Sequence, residues 1–240
     1  MAEILFFIFA FLSEIAGTMV GFGSSTIFFP LALFFVDFKT ALVLVALLHI
    51  FGNIGRITFF QYGIDKKLFF LFGVPSITLT IVGASLVNYI PQEILKTTMG
   101  LFLLLFAATS LIRPSFKFPA SKYNAIAGGG LSGFLAGLIG TGGALRGAFL
   151  SAFNLKKEVY IATAAAIALV VDIARVPIYF AGSFLEQKYY WYIPILFIVA
   201  IGGSYIGRKI VNEIPQKIFR NFVLIAIAIM GLNFLLGYWI

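Results

Sequence analysis

Two apolar stretches of this chain, residues 4–36 and 123–154, are too long for one upright membrane crossing, and glycines interrupt each near its middle. As one helix, either would run about 50 Å at ~1.5 Å per residue, against a hydrocarbon core of about 30 Å. The interruptions read Gly21-Phe-Gly23-Ser24-Ser25-Thr26 and Gly140-Thr141-Gly142-Gly143. Each stretch is expected to break there, either as a kinked crossing or as a re-entrant hairpin that dips into the bilayer and returns.

The rest of the chain is equally apolar. Runs at 40–63, 68–90, 94–112, 158–184, 189–207 and 217–240 follow, and 61% of the residues are hydrophobic against 11% charged. A soluble core could not bury that much apolar surface, so the composition predicts an integral membrane protein. Met1-Ala-Glu3-Ile lacks a basic start, so no cleaved leader is expected. The absence of cysteine excludes disulfide and thiolate chemistry, and one histidine, His49, excludes a multi-histidine metal site. No cofactor is expected. The net charge of +8 is read as Lys and Arg collected in cytoplasmic loops, not as a nucleic-acid footprint.

A shift of 119 positions superposes the two halves. It carries Asn53-x-x-Arg56 onto Asp172-x-x-Arg175, Gly63 onto Gly182, Pro75 onto Pro194, and Gly83-Ala-Ser85 onto Gly202-Gly-Ser204. Duplicated bundles with glycine-broken segments at matching places are the pattern of secondary transporters. The expected organisation is a first membrane repeat over 1–115, a cytoplasmic linker over 116–122 and a second repeat over 123–240.

Charge counting chooses between the two arrangements. If every run crosses, eight loop cations face six across the membrane, which is no bias. If 4–36 and 123–154 are hairpins, Lys39, Lys96 and Lys188 stand alone against eleven. The positive-inside rule favours the hairpins. The expected fold class is thus an all-α polytopic membrane protein of two inverted repeats, each a broken hairpin plus three transmembrane helices. Both termini are then expected outside the cytoplasm, in a cell inner membrane.

Several residues could carry chemistry. Glycine breaks let backbone N–H groups turn inward, and a helix restarting after a break presents its positive end to an anion. Gly21, Gly23, Ser24, Ser25, Thr26, Gly140, Thr141, Gly142 and Gly143 are candidates on that ground. Helix packing competes, because Gly17-x-x-x-Gly21 and Gly133-x-x-x-Gly137 fit the small-residue contact motif. Arg56 and Arg175 are intramembrane charges at equivalent places, with Asn53 and Asp172 one turn before them on the same helix face. Snorkelling to the interface is the alternative for Arg56. Arg146 follows the second glycine turn, where the first repeat has Ile27, and is an asymmetric candidate for anion contact. Asp172 either neutralises Arg175 or carries a coupling proton. His49 could titrate near neutral pH, but its repeat mate is Ala168, which leaves a structural role open. Glu14 is ambiguous and is placed near the hairpin's entrance.

At these residues the chain resembles the sulfite exporter family typified by TauE and SafE, also called the toluenesulfonate uptake group. The family motif, near G-x-G-G-G-x-x-x-x-P-x-L, is similar to Gly21-Phe-Gly23-Ser24-Ser25 with Pro30, and to Gly140-Thr141-Gly142-Gly143-Ala144. The departures are Ser-Ser for Gly-Gly and Phe149 for a second proline. The resemblance implies a secondary transporter, an exporter above all, of small sulfur-containing or organic anions such as sulfite, sulfonate or sulfoacetate. An anion channel and an intramembrane enzyme acting on lipid phosphate are the other classes, and the scarcity of membrane carboxylates speaks against the enzyme. The expected partners are the anion and membrane lipid, with homo-oligomerisation left open.

Overall fold

The computed structural model describes residues 1–20, 23–60, 63–114, 118–211, 213 and 216–237, without the side chains of 216–219. Lipid offers a backbone N–H or C=O no partner, so a chain of this composition closes its hydrogen bonds within helices. Among the described residues these are α1 (Ala2–Val20), α2 (Ser25–Ala32), α3 (Phe38–Phe59), α4 (Lys66–Leu86), α5 (Gln92–Ile112), α6 (Lys122–Ile139), α7 (Gly143–Leu150), α8 (Lys157–Ala181), α9 (Tyr192–Ile210) and α10 (Gln216–Leu235). Six of them, α1, α3, α4, α5, α8 and α9, are long and apolar enough to cross a membrane. The protein is a polytopic, all-helical membrane protein.

Polar residues between the runs start the helices. Asp37 accepts from the N–H groups of Lys39 and Thr40 at 3.0 and 3.2 Å, and Asp65 from that of Leu68 at 2.8 Å. Ser121 does the same for Asn124 at 3.1 Å. Each satisfies a donor that the first helical turn leaves free.

The two glycine breaks each turn the chain back on itself. After Gly23 the chain returns along α1, so the Phe28 and Phe35 rings lie 5.1 and 6.0 Å from that of Phe6. After Gly140, whose φ of +73° suits glycine, α7 returns along α6. Phe149 then lies beside Gly128, and Gly142 beside Ser132 and Ala136.

The long helices approach closely where small residues permit. Gly129, Gly133 and Gly137 of α6 lie against the backbone of Phe72, Ser76 and Thr80 on α4. The Ser76 and Thr80 hydroxyls donate to the Gly129 and Gly133 carbonyls, both at 2.8 Å. Gly203 and Gly207 of α9 meet α1 at Glu14 and Thr18, and Gly100 of α5 faces Gly231 of α10. Without a hydrophobic force between helices in lipid, such close backbone contact holds them together. The halves interleave: α4 packs on α6, and α3 on both α8 and α9. Of the 116–122 linker, residues 116 and 117 lie outside the described residues.

The ends of the bundle are told apart by their contacts. At one end Lys39 Nζ donates to Asn88 at 2.8 Å, Thr40 Oγ1 to the Phe184 carbonyl at 3.3 Å, and Phe6 and Phe7 meet Tyr192. At the other, Asp65 N–H donates to Thr163 Oγ1 at 3.0 Å and Lys157 Nζ to the Val211 carbonyl at 3.5 Å. Lys66, Lys67, Lys156, Lys157, Arg208 and Lys209 belong to helix ends on this second side.

Candidate functional site

The two broken segments meet in the interior. Thr141 Oγ1 donates to Thr26 Oγ1 at 2.9 Å, and the Ala144 N–H donates to the same oxygen at 3.2 Å. The N-terminal ends of α2 and α7 are thereby brought together, each with its positive dipole end. Ser24, Ser25, Thr26 and Thr141 are all buried there. Gly21 lies outside the described residues.

Five charged side chains and one imidazole are buried around this junction. Arg56 is held on three sides: Nε donates to Thr18 Oγ1 at 3.0 Å, Nη1 to Asn53 Oδ1 at 2.7 Å, and Nη2 to Glu14 Oε1. Ser24 Oγ lies 3.5 Å from Nη2. Glu14 is fully buried, and Ser204 on α9 also donates to its Oε1 at 2.9 Å. Gly52 has no side chain because Glu14 occupies that space.

In the second half, Arg175 donates through Nε to Asp172 Oδ1 at 2.8 Å, with Nη2 2.7 Å from the same oxygen. Its Nη1 donates to the Ala136 carbonyl near the end of α6. The Tyr179 hydroxyl donates to the Gly137 carbonyl at 2.6 Å. The second oxygen of Asp172 meets His49 Nδ1 at 2.7 Å, which links α8 to α3.

Arg146 differs from both. It sits on α7, one turn past the glycine break, and is only 4% exposed. Among the described residues its side chain has no ion-pair or hydrogen-bond partner. Its guanidinium lines a cavity of about 10 Å³ together with Gly17, Thr18, Gly23, Asn53 and Arg56, closed on α8 by Ile161 and Ala164. That is room for about one water. Three groups around the junction are buried without a partner among the described residues: His49 Nε2, Asn53 Nδ2 and Glu14 Oε2.

The glycines divide into two kinds. Gly23 has φ +86°, and a side chain there would stand 2.9 Å from His49 Nε2 and 3.5 Å from Arg146 Nη2. It faces the polar cluster. Gly142 instead lies against the Ser132 carbonyl, and Gly140 against the Phe29 ring. Those two allow close packing between segments, and Gly143 opens α7.

The structure therefore brings Gly23, Ser24, Asn53, Arg56, Arg146, His49, Asp172 and Arg175 to one interior region. Glu14 is the residue that sequence reasoning missed as the partner of Arg56. A signal was present, for Glu14 is the only charge within 4–36, as Arg146 is within 123–154. The buried charges do not balance. Arg56, Arg146 and Arg175 oppose Glu14 and Asp172, three cations against two anions among the described residues. A buried cation without its counter-charge is strongly unfavourable, and the region carries one cation more than its carboxylates neutralise.

Comparison with known proteins agrees in class. The profile of the family described as sulfite exporter TauE/SafE matches residues 6–234. No curated protein and no solved structure gives a match. The chain belongs to the sulfite exporter TauE/SafE family.

Proposed function

We propose that this member of the family is a secondary transporter that exports a small sulfur-containing or organic anion, such as sulfite, a sulfonate or sulfoacetate. The anion is held between Arg146 and Arg56, at the junction of two re-entrant hairpins from inverted repeats. The observation that carries this reading is Arg146: a buried guanidinium with no carboxylate, beside two that each have one. A planar guanidinium can grip two oxygens of a sulfite or sulfonate group at once. Asn53 Nδ2 is a donor left to complete the shell, and His49 Nε2 becomes a second one when the imidazole, whose Nδ1 meets Asp172, is protonated.

Alternating access follows from the same arrangement. A cavity with room for about one water is too small for a sulfite or sulfonate group, which suits a closed carrier conformation and not a continuous pore. Binding would widen it on one side at a time. Asp172 and His49, paired across the halves, are the candidates for a coupling proton. The cation-rich end of the bundle is assigned to the cytoplasm on the positive-inside rule, with both termini outside and the protein in the inner membrane.

The test is flux of labelled sulfite and sulfoacetate in proteoliposomes. Saturable uptake with counterflow is expected, and Arg146→Gln should lower it by about 10- to 100-fold, the worth of a charge-assisted bond, while the protein still purifies folded. Parent-like flux in Arg146→Gln would remove Arg146 from the site. Flux without counterflow would make the protein a channel.

A further inference from the structure

A second cavity, about 610 Å³, lies on the cation-rich side between α5, α7, α8 and α10. It shares no lining residue with the small cavity at Arg146. Its deep end is lined by Val20, the last residue of α1, and Ala144, in the first turn of α7. Both adjoin the junction of the broken segments. Its outer part is lined by Arg113, at the end of α5, and Arg220, on α10. Among the described residues neither arginine has an ion-pair or hydrogen-bond partner through its side chain. The wall between this cavity and the smaller one is α7. Arg146 faces the small cavity, whereas Leu145, Gly147 and Ala148 face the large one. Gly147 and Ala148 make that wall thin.

We infer that this cavity is the cytoplasmic vestibule through which the anion reaches Arg146, with Arg113 and Arg220 as its collecting charges and α7 as the gate. The inference rests on the transport reading and adds to it a route, a moving element and two residues outside the binding shell. Two like charges beside a low-dielectric wall raise the local concentration of anions, by about 10-fold or more at low salt. Exposed charges on opposite faces would not do so, because salt screens them over about 8–10 Å. The hydroxyl-bearing residues Thr109, Ser110, Ser151 and Tyr160 also line the space and interrupt its apolar surface. A lipid-filled groove is the competing occupancy, and it makes the opposite prediction for water-soluble reagents.

The chain has no cysteine, so single cysteines can be introduced without a background. Ala148→Cys and Ser151→Cys probe the vestibule, the second being nearly isosteric in case the first does not fold. Ile198→Cys, on the exposed face of α9, is the lipid-facing control. The proteins are held in nanodiscs and treated with anionic and cationic water-soluble methanethiosulfonates of similar size. The expected result is reaction at 148 and 151 well above that at 198, with the anionic reagent faster than the cationic one by about tenfold at low salt. Arg113→Gln with Arg220→Gln should bring that ratio close to one. Labelling at 148 and 151 as slow as at 198 would overturn the vestibule in favour of lipid. A ratio indifferent to the two arginines would overturn their role. Labelling does not require flux, so the vestibule can fail while the Arg146 assignment stands, and the reverse.

Discussion

His49 Nδ1 on α3 lies 2.7 Å from Asp172 Oδ2 on α8, while the other oxygen of that carboxylate accepts from Arg175 at 2.8 Å. One buried carboxylate thus joins the two halves and neutralises a cation within the second. Its counterpart in the first half is Glu14, which meets Arg56 on α3 and Ser204 on α9. Any rocking of one half against the other has to break or rotate these links. The two carboxylates therefore each tie elements from different parts of the chain together.

Asp172→Asn should be severely destabilising, because it leaves Arg175 buried without its counter-charge. Loss of one partner of a buried pair costs about 3–5 kcal/mol. Combining it with Arg175→Gln should recover part of the loss. Thermal unfolding of the purified variants in one detergent reads this directly. A parent-like midpoint for Asp172→Asn alone would mean that Arg175 draws its compensation from elsewhere.

Thr26→Val preserves shape and removes the oxygen to which Thr141 and the Ala144 N–H donate. Two buried donors are left unsatisfied, each worth about 1–3 kcal/mol. The expected outcome is a lowered unfolding midpoint with the helical content unchanged by circular dichroism. Thr141→Val removes only one donor and should cost less. Equal losses in the two variants would argue that the junction is not held through Thr26.

The bundle's general form was legible in the sequence because lipid imposes it: apolar runs must become helices, and runs broken by glycine near the middle must bend. The charged positions were legible for the same reason, since Arg56, Arg146, Asp172 and Arg175 each stand in otherwise apolar surroundings. Their partners were less so. Repeat symmetry paired Arg56 with Asn53, and that bond exists at 2.7 Å, but the neutralising charge comes from Glu14 on another helix. Pairing across 42 positions leaves no periodic trace. Nor can sequence separate a glycine needed for its φ from one needed for close approach. Gly23 is the first kind and Gly142 the second, although both occupy matching places in the two halves.

The orientation of the bundle is open to a direct check. With the cation-rich end inside, a reporter active only outside the cytoplasm should be active when fused to the N-terminus, ahead of Ala2. The same reporter inserted between Ala120 and Ser121 should be silent. Activity in the reverse pattern would turn the whole bundle over and move Arg113 and Arg220 to the exterior.

Gly23 and Gly142 give the sharpest contrast. An alanine at Gly142 would drive its methyl into the Ser132 carbonyl, where backbone cannot yield without separating α7 from α6. Gly142→Ala should therefore reduce folded yield and unfolding midpoint together. At Gly23 a methyl instead meets the His49 ring at 2.9 Å and lies 3.5 Å from Arg146, two side chains able to shift. The backbone φ of +86° adds about 1–2 kcal/mol of strain for an L-residue. Gly23→Ala should then purify in usable amounts but bind sulfite or sulfoacetate at least tenfold more weakly, equivalent to about 1.4 kcal/mol. Isothermal titration of each variant, paired with its unfolding midpoint, separates the two effects. Parent-like affinity in Gly23→Ala would place the anion away from the His49 and Arg146 side of the junction.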